Sequence, residues 1–432
     1  MQLRRIRWAL ALAAFALLAA PAVAQANEVT HWNQIATDTL VAVPGPAGGA
    51  PPALQVSMGM TQGAVYDAVN AIEPRHRPYL LGTPFAPTAS KDAAAATAAY
   101  RMLTSVISTV PAAIPFPNRA TLLQNVANEY AASLGAIPAG TSKDAGIAAG
   151  NAAADAMIAA RQNDGRFGPS QWGQQVGAGY WQPLLDPVTA LPLLDPTPWV
   201  GGVRPFLLRS ASQFRTPGPN ALRSRAWVKD YNETKALGRV DSSVRTDEQT
   251  HIAIFWQSAG GPALLWNGVA RNLATERGIG MGDSALLLAK LNLSGADAAI
   301  NCWNDKYYWD FWRPWNATHG DDGNPKTEPD PTWTALITAP YPEHPSGHLC
   351  LDGAELTTLR GLFGNRKIRF GVTSSRFPGE TRYFERFSEP LREITEARIW
   401  AGLHFRTADE QAKDLGRNVT RYMEKHYFQR LH

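Results

Sequence analysis

The segment from Lys306 to Pro314 contains five aromatic residues between a lysine and an arginine. So many aromatic side chains leave little of the segment facing water, so we expect Lys306 and Arg313 to be buried. A buried charge is costly unless a counter-charge and hydrogen bonds compensate it, and the segment's only carboxylate is Asp310. If the segment is helical, the two cations share one face, about two turns apart. The chain must therefore fold so that another group meets both charges.

Two later segments supply groups that suit such a partner. Residues 345–348 have the sequence Pro-Ser-Gly-His, and a further segment runs from Arg398 to His404. The first predicts a loop that turns into a helix, where free backbone N–H groups and the helix dipole favour an anion. Arginine is a rigid planar fork and lysine a mobile point charge, so the two together complement a tetrahedral oxyanion. The three segments predict one buried oxyanion site with two histidines, His348 and His404.

The three segments resemble the signature shared by vanadium-dependent haloperoxidases and the type 2 phosphatidic acid phosphatase superfamily. The matching pattern is Lys306-x6-Arg313-Pro314, then Pro345-Ser346-Gly347-His348, then Arg398-x5-His404. The intervals between them, residues 315–344 and 349–397, also fit the pattern. Each segment alone is a weak signal, whereas all three in order are a strong one. Trp303 extends the likeness toward the haloperoxidase branch.

The resemblance implies a role for each polar residue of the signature. The residues that would bind the oxygens of vanadate are Lys306, Arg313, Ser346, Gly347 and Arg398. His404 matches the residue that binds the metal, and His348 matches an acid–base group. Hydrogen peroxide and halide would be the substrates, with Lys306 polarising the peroxide and halide leaving as hypohalous acid. Vanadium keeps its oxidation state in this family, so no electron-transfer cofactor is expected.

The same residues allow two other functions. A soluble acid phosphatase would hold a phosphate monoester there and form a phosphohistidine at His404, with His348 as proton donor. The two chemistries share a site because five-coordinate vanadate resembles the transition state of phosphoryl transfer. A non-catalytic oxyanion-binding protein is the third alternative, although a purely structural pocket has no need of both histidines. The sequence does not indicate which halide or organic substrate is used.

Four residues near the signature stay outside the predicted catalytic set. An aspartate is common four residues after the metal-binding histidine, but Ala408 stands there and the aspartate is Asp409. The group that orients His404 therefore stays open. Just before the second segment, His344 is interpreted as a loop residue. Tyr341 falls where haloperoxidases vary between aromatic residues and histidine.

The N-terminus predicts export. Three arginines within the first seven residues precede an apolar run from Trp8 to Ala20, and small residues then allow cleavage near residue 24 or 26. This pattern is typical of a secretory signal peptide over residues 1–26. A membrane anchor is the weaker alternative because the run is short and alanine-rich. We expect a secreted or periplasmic protein with no integral membrane association after signal cleavage.

Cys302 and Cys350 are the only cysteines in the chain. An even number of cysteines in an exported protein favours a disulfide. Cys302 lies about one turn before Lys306, and Cys350 lies two residues after His348. A bridge would tie together two segments that must meet at the anion, and two buried thiols are the alternative.

Helical patterns dominate the rest of the chain and strand signals are almost absent, so the predicted fold is all-α. The resemblance implies two related helical bundles, with the anion in the C-terminal one. We divide the chain into an N-terminal helical region, 27–220, whose residues 163–220 form a Pro/Gly-rich excursion, and a C-terminal bundle, 221–432. Loops are expected at 42–53 and 364–380. Helices are predicted over 54–72, 90–110, 119–135, 142–162, 224–237, 246–258, 262–275, 281–310, 351–362 and 388–403.

Composition excludes one class of partner. The net charge of +4 is small for 432 residues, and no basic run or basic–aromatic alternation is present. Nucleic-acid binding is therefore not expected. The oligomeric state is not determined by the sequence.

Overall fold

The computed structural model describes residues 27–169, 175–364 and 367–431. The predicted signal peptide, residues 1–26, lies outside the described residues. Within them the chain forms thirteen α-helices and one two-stranded antiparallel sheet, so the all-α fold class is confirmed. In the described part of the chain, no helix is both long and apolar enough to cross a membrane.

The longest connections between consecutive helices are residues 161–224, 320–346 and 364–387. The helices are α1 (Glu28–Val41), α2 (Pro51–Ile72), α3 (Lys91–Ser108), α4 (Arg119–Ala136), α5 (Thr141–Ala160), α6 (Arg225–Gly238), α7 (Asp247–Phe255), α8 (Gly261–Glu276), α9 (Met281–Trp309), α10 (Pro314–His319), α11 (Gly347–Phe363), α12 (Ser388–Trp400) and α13 (Arg406–His426). The strands are β1 (Phe370–Thr373) and β2 (Thr381–Phe384).

Each helix predicted from the periodic segments is present, with ends that differ by about four residues or fewer. Two of the expected loops are shorter than predicted. Pro51 and Pro52 lie in the first turn of α2, where proline is tolerated because its missing N–H has no helical partner. Residues 370–373 of the second loop form β1, which pairs with β2.

The central element is α9, which packs against α2, α11 and α13. Nearly every residue of α2 is buried, and so is the middle of α9. Small residues let these two helices approach closely: a Cβ added to Gly59 of α2 would lie 2.9 Å from the Cβ of Ala296. Close packing on several sides fixes the position of α9, and Lys306 lies near its C-terminal end.

One face of α9 anchors the long excursion. Asp297, Asn301 and Asp305, spaced four residues apart, accept hydrogen bonds from backbone N–H groups between residues 206 and 216, at 2.6 to 3.0 Å. Residues four apart lie on the same face of a helix. These bonds satisfy the backbone of a segment that has no α-helix of its own among its described residues. The excursion is therefore fixed along the helix that leads to Lys306.

Cys302 of α9 and Cys350 of α11 form a disulfide, as the sequence predicted. The bridge joins the helix that carries Lys306 to the helix that begins just after Ser346. It therefore connects two of the three signature segments covalently.

Replacing both cysteines with serine is expected to lower the free energy of unfolding by about 4 kcal/mol, because a bridge that closes a long loop restricts the unfolded chain. The two cysteines are separated by 48 residues. Guanidinium unfolding of the wild type and the double variant measures the difference. Reductant should destabilise the wild type and leave the double variant unchanged. Free, alkylatable thiols in the unreduced wild type would contradict the bridge.

Candidate functional site

Lys306 and Arg313 do not share a helix face, so that prediction is wrong. The helix α9 ends at Trp309 because Asp310 takes a left-handed backbone conformation, with φ of 45°. Arg313 lies in extended backbone immediately before Pro314, the first residue of α10. Both cations are nevertheless fully buried, as the aromatic run predicted. The turn at Asp310, rather than helical spacing, brings them into one pocket.

Lys306 is held by the loop that leads into the second signature segment. Its Nζ donates to three backbone carbonyls of residues 342–345, at 2.6 to 3.1 Å. The ring centres of Trp303 and Tyr341 lie 5.6 and 5.2 Å from Nζ. Burial, followed by the nearby Arg313, lowers the pKa of Lys306 well below its usual value. Because an ammonium has three donors, Lys306 must redirect one of them to contact an anion.

Arg313 reaches the third signature segment directly. Its Nε donates to the Tyr341 carbonyl at 2.9 Å, and its Nη1 donates to the Leu403 carbonyl at 2.7 Å. The same Nη1 lies 3.2 Å from His404 Nε2. Among the residues that the structure describes, Arg313 Nη2 has no hydrogen-bond partner, although it is buried. One arm of the guanidinium is therefore available to an anion beside His404.

His404 is oriented by Glu343, a residue that the sequence analysis missed. His404 Nδ1 lies 2.9 Å from Glu343 Oε1, which also accepts the Phe405 backbone N–H at 2.9 Å. Burial, followed by Arg313 and Lys306, lowers the pKa of His404 well below its usual value. A neutral imidazole with its proton on Nδ1 leaves the lone pair on Nε2 for a metal. The available signal was a glutamate two residues before the Pro-Ser-Gly-His segment.

Arg398 lies in the last turn of α12 and is almost fully buried. With its amide oxygen turned toward the guanidinium, Gln257 accepts from Arg398 Nη1 at 3.1 Å and from Nη2 at 2.8 Å. Arg398 Nε is enclosed and has no partner within residues 27–169, 175–364 and 367–431. Gln257 is a second residue that the sequence analysis missed, since it lies in the loop that follows α7, far from the signature in sequence.

The second signature segment opens α11, as predicted, with Ser346 as the N-cap residue and Gly347 as the first helical residue. A Cβ on Gly347 would lie 2.9 Å from the Trp303 ring and 3.5 Å from Lys306 Cε. Glycine is therefore needed for the helix start to approach Lys306. Ser346 Oγ makes no hydrogen bond of normal geometry to a described residue. The segment thus presents a hydroxyl and the free N–H groups of a helix start.

His348 is partly exposed, but its Nε2 is enclosed and has no partner in the described part of the chain. Nδ1 is not among the enclosed atoms that lack a partner. Burial, followed by the charge of Arg398, lowers the pKa of His348 well below its usual value. A neutral His348 in the resting protein can accept a proton at Nδ1.

Two carboxyl groups lie beside the three cations, although the signature segments themselves place none there. Glu343 and Asp409 are both buried beside them. Burial raises the pKa of Glu343 to about 8, against the effect of Arg313 and Lys306. Burial also raises the pKa of Asp409 well above its usual value, opposed by the nearby Ser346 hydroxyl and by Arg398. The raised pKa values favour the neutral form of both carboxyls, so they are weak counter-charges for the cations and leave that role to an anion.

The donor set fits an oxyanion better than a bare metal cation. Two enclosed donors, Arg313 Nη2 and Arg398 Nε, lack acceptors among the described residues. The enclosed Ser346 hydroxyl has only the Asp409 carboxyl near it, without a hydrogen bond of normal geometry. Unsatisfied buried donors are rare in proteins and commonly mark a missing ion or water. Vanadate offers several acceptor oxygens to these donors and a metal to His404 Nε2, so the residues present fit it.

His344 and Tyr341 support the site without joining the donor set. His344 is buried, its Nε2 lies 3.1 Å from Thr216 Oγ1, and burial lowers its pKa to about 3. A neutral His344 therefore holds the excursion against the loop that precedes Ser346. The Tyr341 ring packs between Lys306 and Arg313.

Comparison with known proteins adds three findings. Residues 286–432 match the family described as the VCPO second helical-bundle domain. A curated relative, vanadium chloroperoxidase of Curvularia inaequalis, is 26% identical over 413 residues, an alignment that covers 79% of this chain. This chain spans 66% of that relative's length, just under two thirds. The region that matches the family contains all three signature segments.

Two solved structures share the fold. The first bacterial vanadium-dependent iodoperoxidase superimposes with a TM-score of 0.74 at 21% identity, covering 93% of this chain and 97% of that one. A holo-type bacterial vanadium-dependent chloroperoxidase superimposes with a TM-score of 0.68 at 17% identity, with the same coverage of both chains.

Proposed function

This chain belongs to the superfamily of vanadium-dependent haloperoxidases and type 2 phosphatidic acid phosphatases, and on that premise we propose that it oxidises halide with hydrogen peroxide at a vanadate held by His404. One observation carries the proposal. Arg313 and Arg398 each have an enclosed donor that lacks a partner among the described residues. Beside the Arg313 guanidinium lies Nε2 of His404, a histidine whose Nδ1 is hydrogen-bonded to Glu343. A chloroperoxidase and an iodoperoxidase among the similar proteins support the same reaction.

The chain's own residues have separate tasks in this reaction. Vanadate, when bound, supplies a Lewis-acidic centre that activates peroxide without a change of oxidation state. The enclosed donors of Arg313, Ser346 and Arg398 bind its oxygens, and the free N–H groups at the start of α11 add to them. His404 offers the Nε2 lone pair, and Lys306 adds positive charge beside the helix start.

His348 handles protons. Its Nδ1 takes a proton from peroxide as the peroxide binds, and returns one to the oxygen that leaves as water or hydroxide. The low pKa that burial and Arg398 impose on His348 makes the protonated form a strong acid that gives up its proton readily. These tasks require His348 to face the oxyanion pocket through Nδ1.

We also propose that the protein is exported. The N-terminal pattern of arginines, an apolar run and small residues supports this, and so does the disulfide between Cys302 and Cys350.

Purified protein loaded with orthovanadate, then assayed for peroxide-dependent oxidation of iodide, bromide and chloride, tests the proposal. We expect oxidation that depends on vanadate and is inhibited by phosphate, which competes for the same donors. The vanadate-free protein is assayed in parallel on 4-nitrophenyl phosphate. Phosphate-ester hydrolysis without halide oxidation would replace the proposal with an acid phosphatase, and neither activity would indicate a non-catalytic oxyanion-binding protein.

Replacing Glu343 with glutamine is expected to lower vanadate affinity by roughly 10- to 100-fold, the usual effect of losing a partner that orients a metal-binding histidine. Glutamine keeps the size of the side chain but removes the carboxylate that fixes the Nδ1 proton. Vanadium content after equilibrium dialysis measures the change. Glu380→Gln is the matched control, because Glu380 pairs with His251 at 2.8 Å on another part of the surface. Equal retention in Glu343→Gln and the wild type would show that Glu343 does not orient the metal site.

A further inference from the structure

Two carboxyl groups lie behind His348 and are not used in the proposed function. Asp352 and Glu355 follow His348 by four and seven residues on α11, so the three side chains form a strip along one helix face. Both carboxyls are completely buried. Side chains on a helix lean toward its N-terminus, so Asp352 leans over the turn that carries His348.

The strip contains a row of polar atoms that lack hydrogen bonds. His348 Nε2 and Asp352 Oδ2 are enclosed, and neither reaches hydrogen-bond geometry with a residue that the structure describes. The oxygens of Glu355 are enclosed as well, and the Gln55 amide is the polar group beside them. Buried polar atoms without partners are rare, and ordered water commonly satisfies them. A row of such atoms along one face therefore indicates buried water that connects the inner nitrogen of His348 to the two carboxyls.

The far end of the strip lies against α2 and α9. A Cβ on Gly295 of α9 would lie 2.4 Å from Gln55 Nε2 and 3.0 Å from Glu355 Oε1, so the amide and the carboxyl meet over this glycine. Gln55 Oε1 is itself enclosed and without a partner among the described residues. The strip thus ends in a polar group and not in the apolar core.

The surroundings of the two carboxyls favour a retained proton. The groups that the structure places against the two carboxyls from neighbouring helices are Gln55 of α2, Trp266 of α8 and Arg398 of α12. Trp266 Nε1 donates to Asp352 Oδ1 at 2.7 Å. Burial raises the pKa of Asp352 to about 8, opposed by Trp266 and Arg398. Burial, followed by the charge of Asp352, raises the pKa of Glu355 well above its usual value.

We propose that Asp352 and Glu355 are positioning residues that together hold a transferable proton and pass it, through buried water, to Nε2 of His348. The inference rests on the proposed function, in which H₂O₂ + X⁻ + H⁺ gives HOX + H₂O and each turnover consumes one proton. As the Nδ1–H bond of His348 breaks and an O–H bond forms in the oxyanion pocket, an O–H bond of the carboxyl pair breaks and an N–H bond forms at Nε2. The pair keeps one added negative charge, which Arg398 stabilises, until Nδ1 takes up a proton and the Nε2–H proton returns to the pair, which restores the starting tautomer of His348.

Infrared spectroscopy of the vanadate-free protein tests the retained proton without any assay of activity. At neutral pH we expect a C=O band from a protonated carboxyl that is lost or shifted in Asp352→Asn and in Glu355→Gln. Asp155→Asn, a change at a mostly exposed carboxylate, should leave the band unchanged. Two variants are tested so that the result does not depend on the folding of either one. If the band is unaltered in every variant that folds, the pair holds no such proton and the inference is overturned.

Kinetics of the vanadate-loaded protein test the transfer. Asparagine preserves the size of Asp352 and an acceptor for Trp266, so we expect an unchanged melting temperature and an unchanged KM for halide. We expect kcat to fall by about 10- to 100-fold, within the range for proton-transfer groups, with a larger solvent deuterium isotope effect. Wild-type kcat and isotope effect in Asp352→Asn would overturn the inference and leave the halide oxidation intact. A wild type that oxidises no halide would instead overturn the proposed function, and the infrared band then decides whether the pair retains a proton.

Discussion

Replacing His404 with alanine is expected to abolish vanadate retention. In the proposed site, His404 Nε2 is the single protein atom offered to the metal, and the other groups would contact only the oxygens. Loss of the metal ligand should exceed the roughly 10- to 100-fold effect of losing an outer partner. Vanadium content after exhaustive dialysis, measured on folded protein, gives the result directly, and halide oxidation should disappear with the metal.

His426→Ala is the matched control, because His426 is exposed at the end of α13 and lies outside the site. Its vanadium content should equal that of the wild type. If His404→Ala also retains vanadium at the wild-type level, His404 is not the metal ligand and the assignment fails.

For His348→Ala we expect vanadate binding to be retained and turnover to fall. Vanadium should remain bound, because His348 contributes acid–base chemistry and no bond to the metal. The value of kcat should fall by about 10²- to 10⁴-fold, the usual contribution of a positioned acid or base. Steady-state kinetics of vanadium-saturated protein, with the metal content measured on the same sample, separates the two effects.

His319→Asn serves as the control for this variant. His319 Nε2 bonds the Trp333 carbonyl at 2.7 Å, away from the signature residues. Turnover by His348→Ala at a near-normal rate would remove His348 from the mechanism, and with it the route proposed through Asp352.

Most of the fold could be predicted because helix formation is local. Alanine-rich and periodic segments indicate a helix and locate its ends to within a few residues. The predicted helices from α2 to α9 are all present. The helix α13 was not predicted, although Ala408, Ala412, Leu415, Val419 and Met423 are buried at helical spacing. The sheet was missed because its four-residue strands depend on pairing with each other, which a single segment does not reveal.

The proximity of several signature residues was predictable, but their geometry was not. The structure places Lys306 beside the start of α11 and Arg313 beside His404, as the signature indicated. The prediction that Lys306 and Arg313 share a helix face was wrong because the chain leaves the helix at Asp310, which has a left-handed backbone conformation. A backbone turn of this kind is decided by tertiary packing as well as by local preference.

The partners of the signature residues could not be predicted because their contacts are remote in sequence. Glu343 reaches His404 across 61 positions, and Gln257 reaches Arg398 from the loop that follows α7. Neither residue lies in a sequence motif that distinguishes it from an ordinary loop residue. Such contacts become visible only when the packing of several helices is known.

Calorimetric titration of the vanadate-free protein with orthovanadate tests most directly whether the three cations and His404 form one oxyanion site. We predict one vanadate per chain, displaced by phosphate, with Arg398→Ala weakening both anions because it removes the enclosed Nε donor. Arg392→Ala, at an exposed position on the same helix, should bind as the wild type does. No binding at millimolar vanadate, or binding that Arg398→Ala leaves unchanged, would contradict a common site.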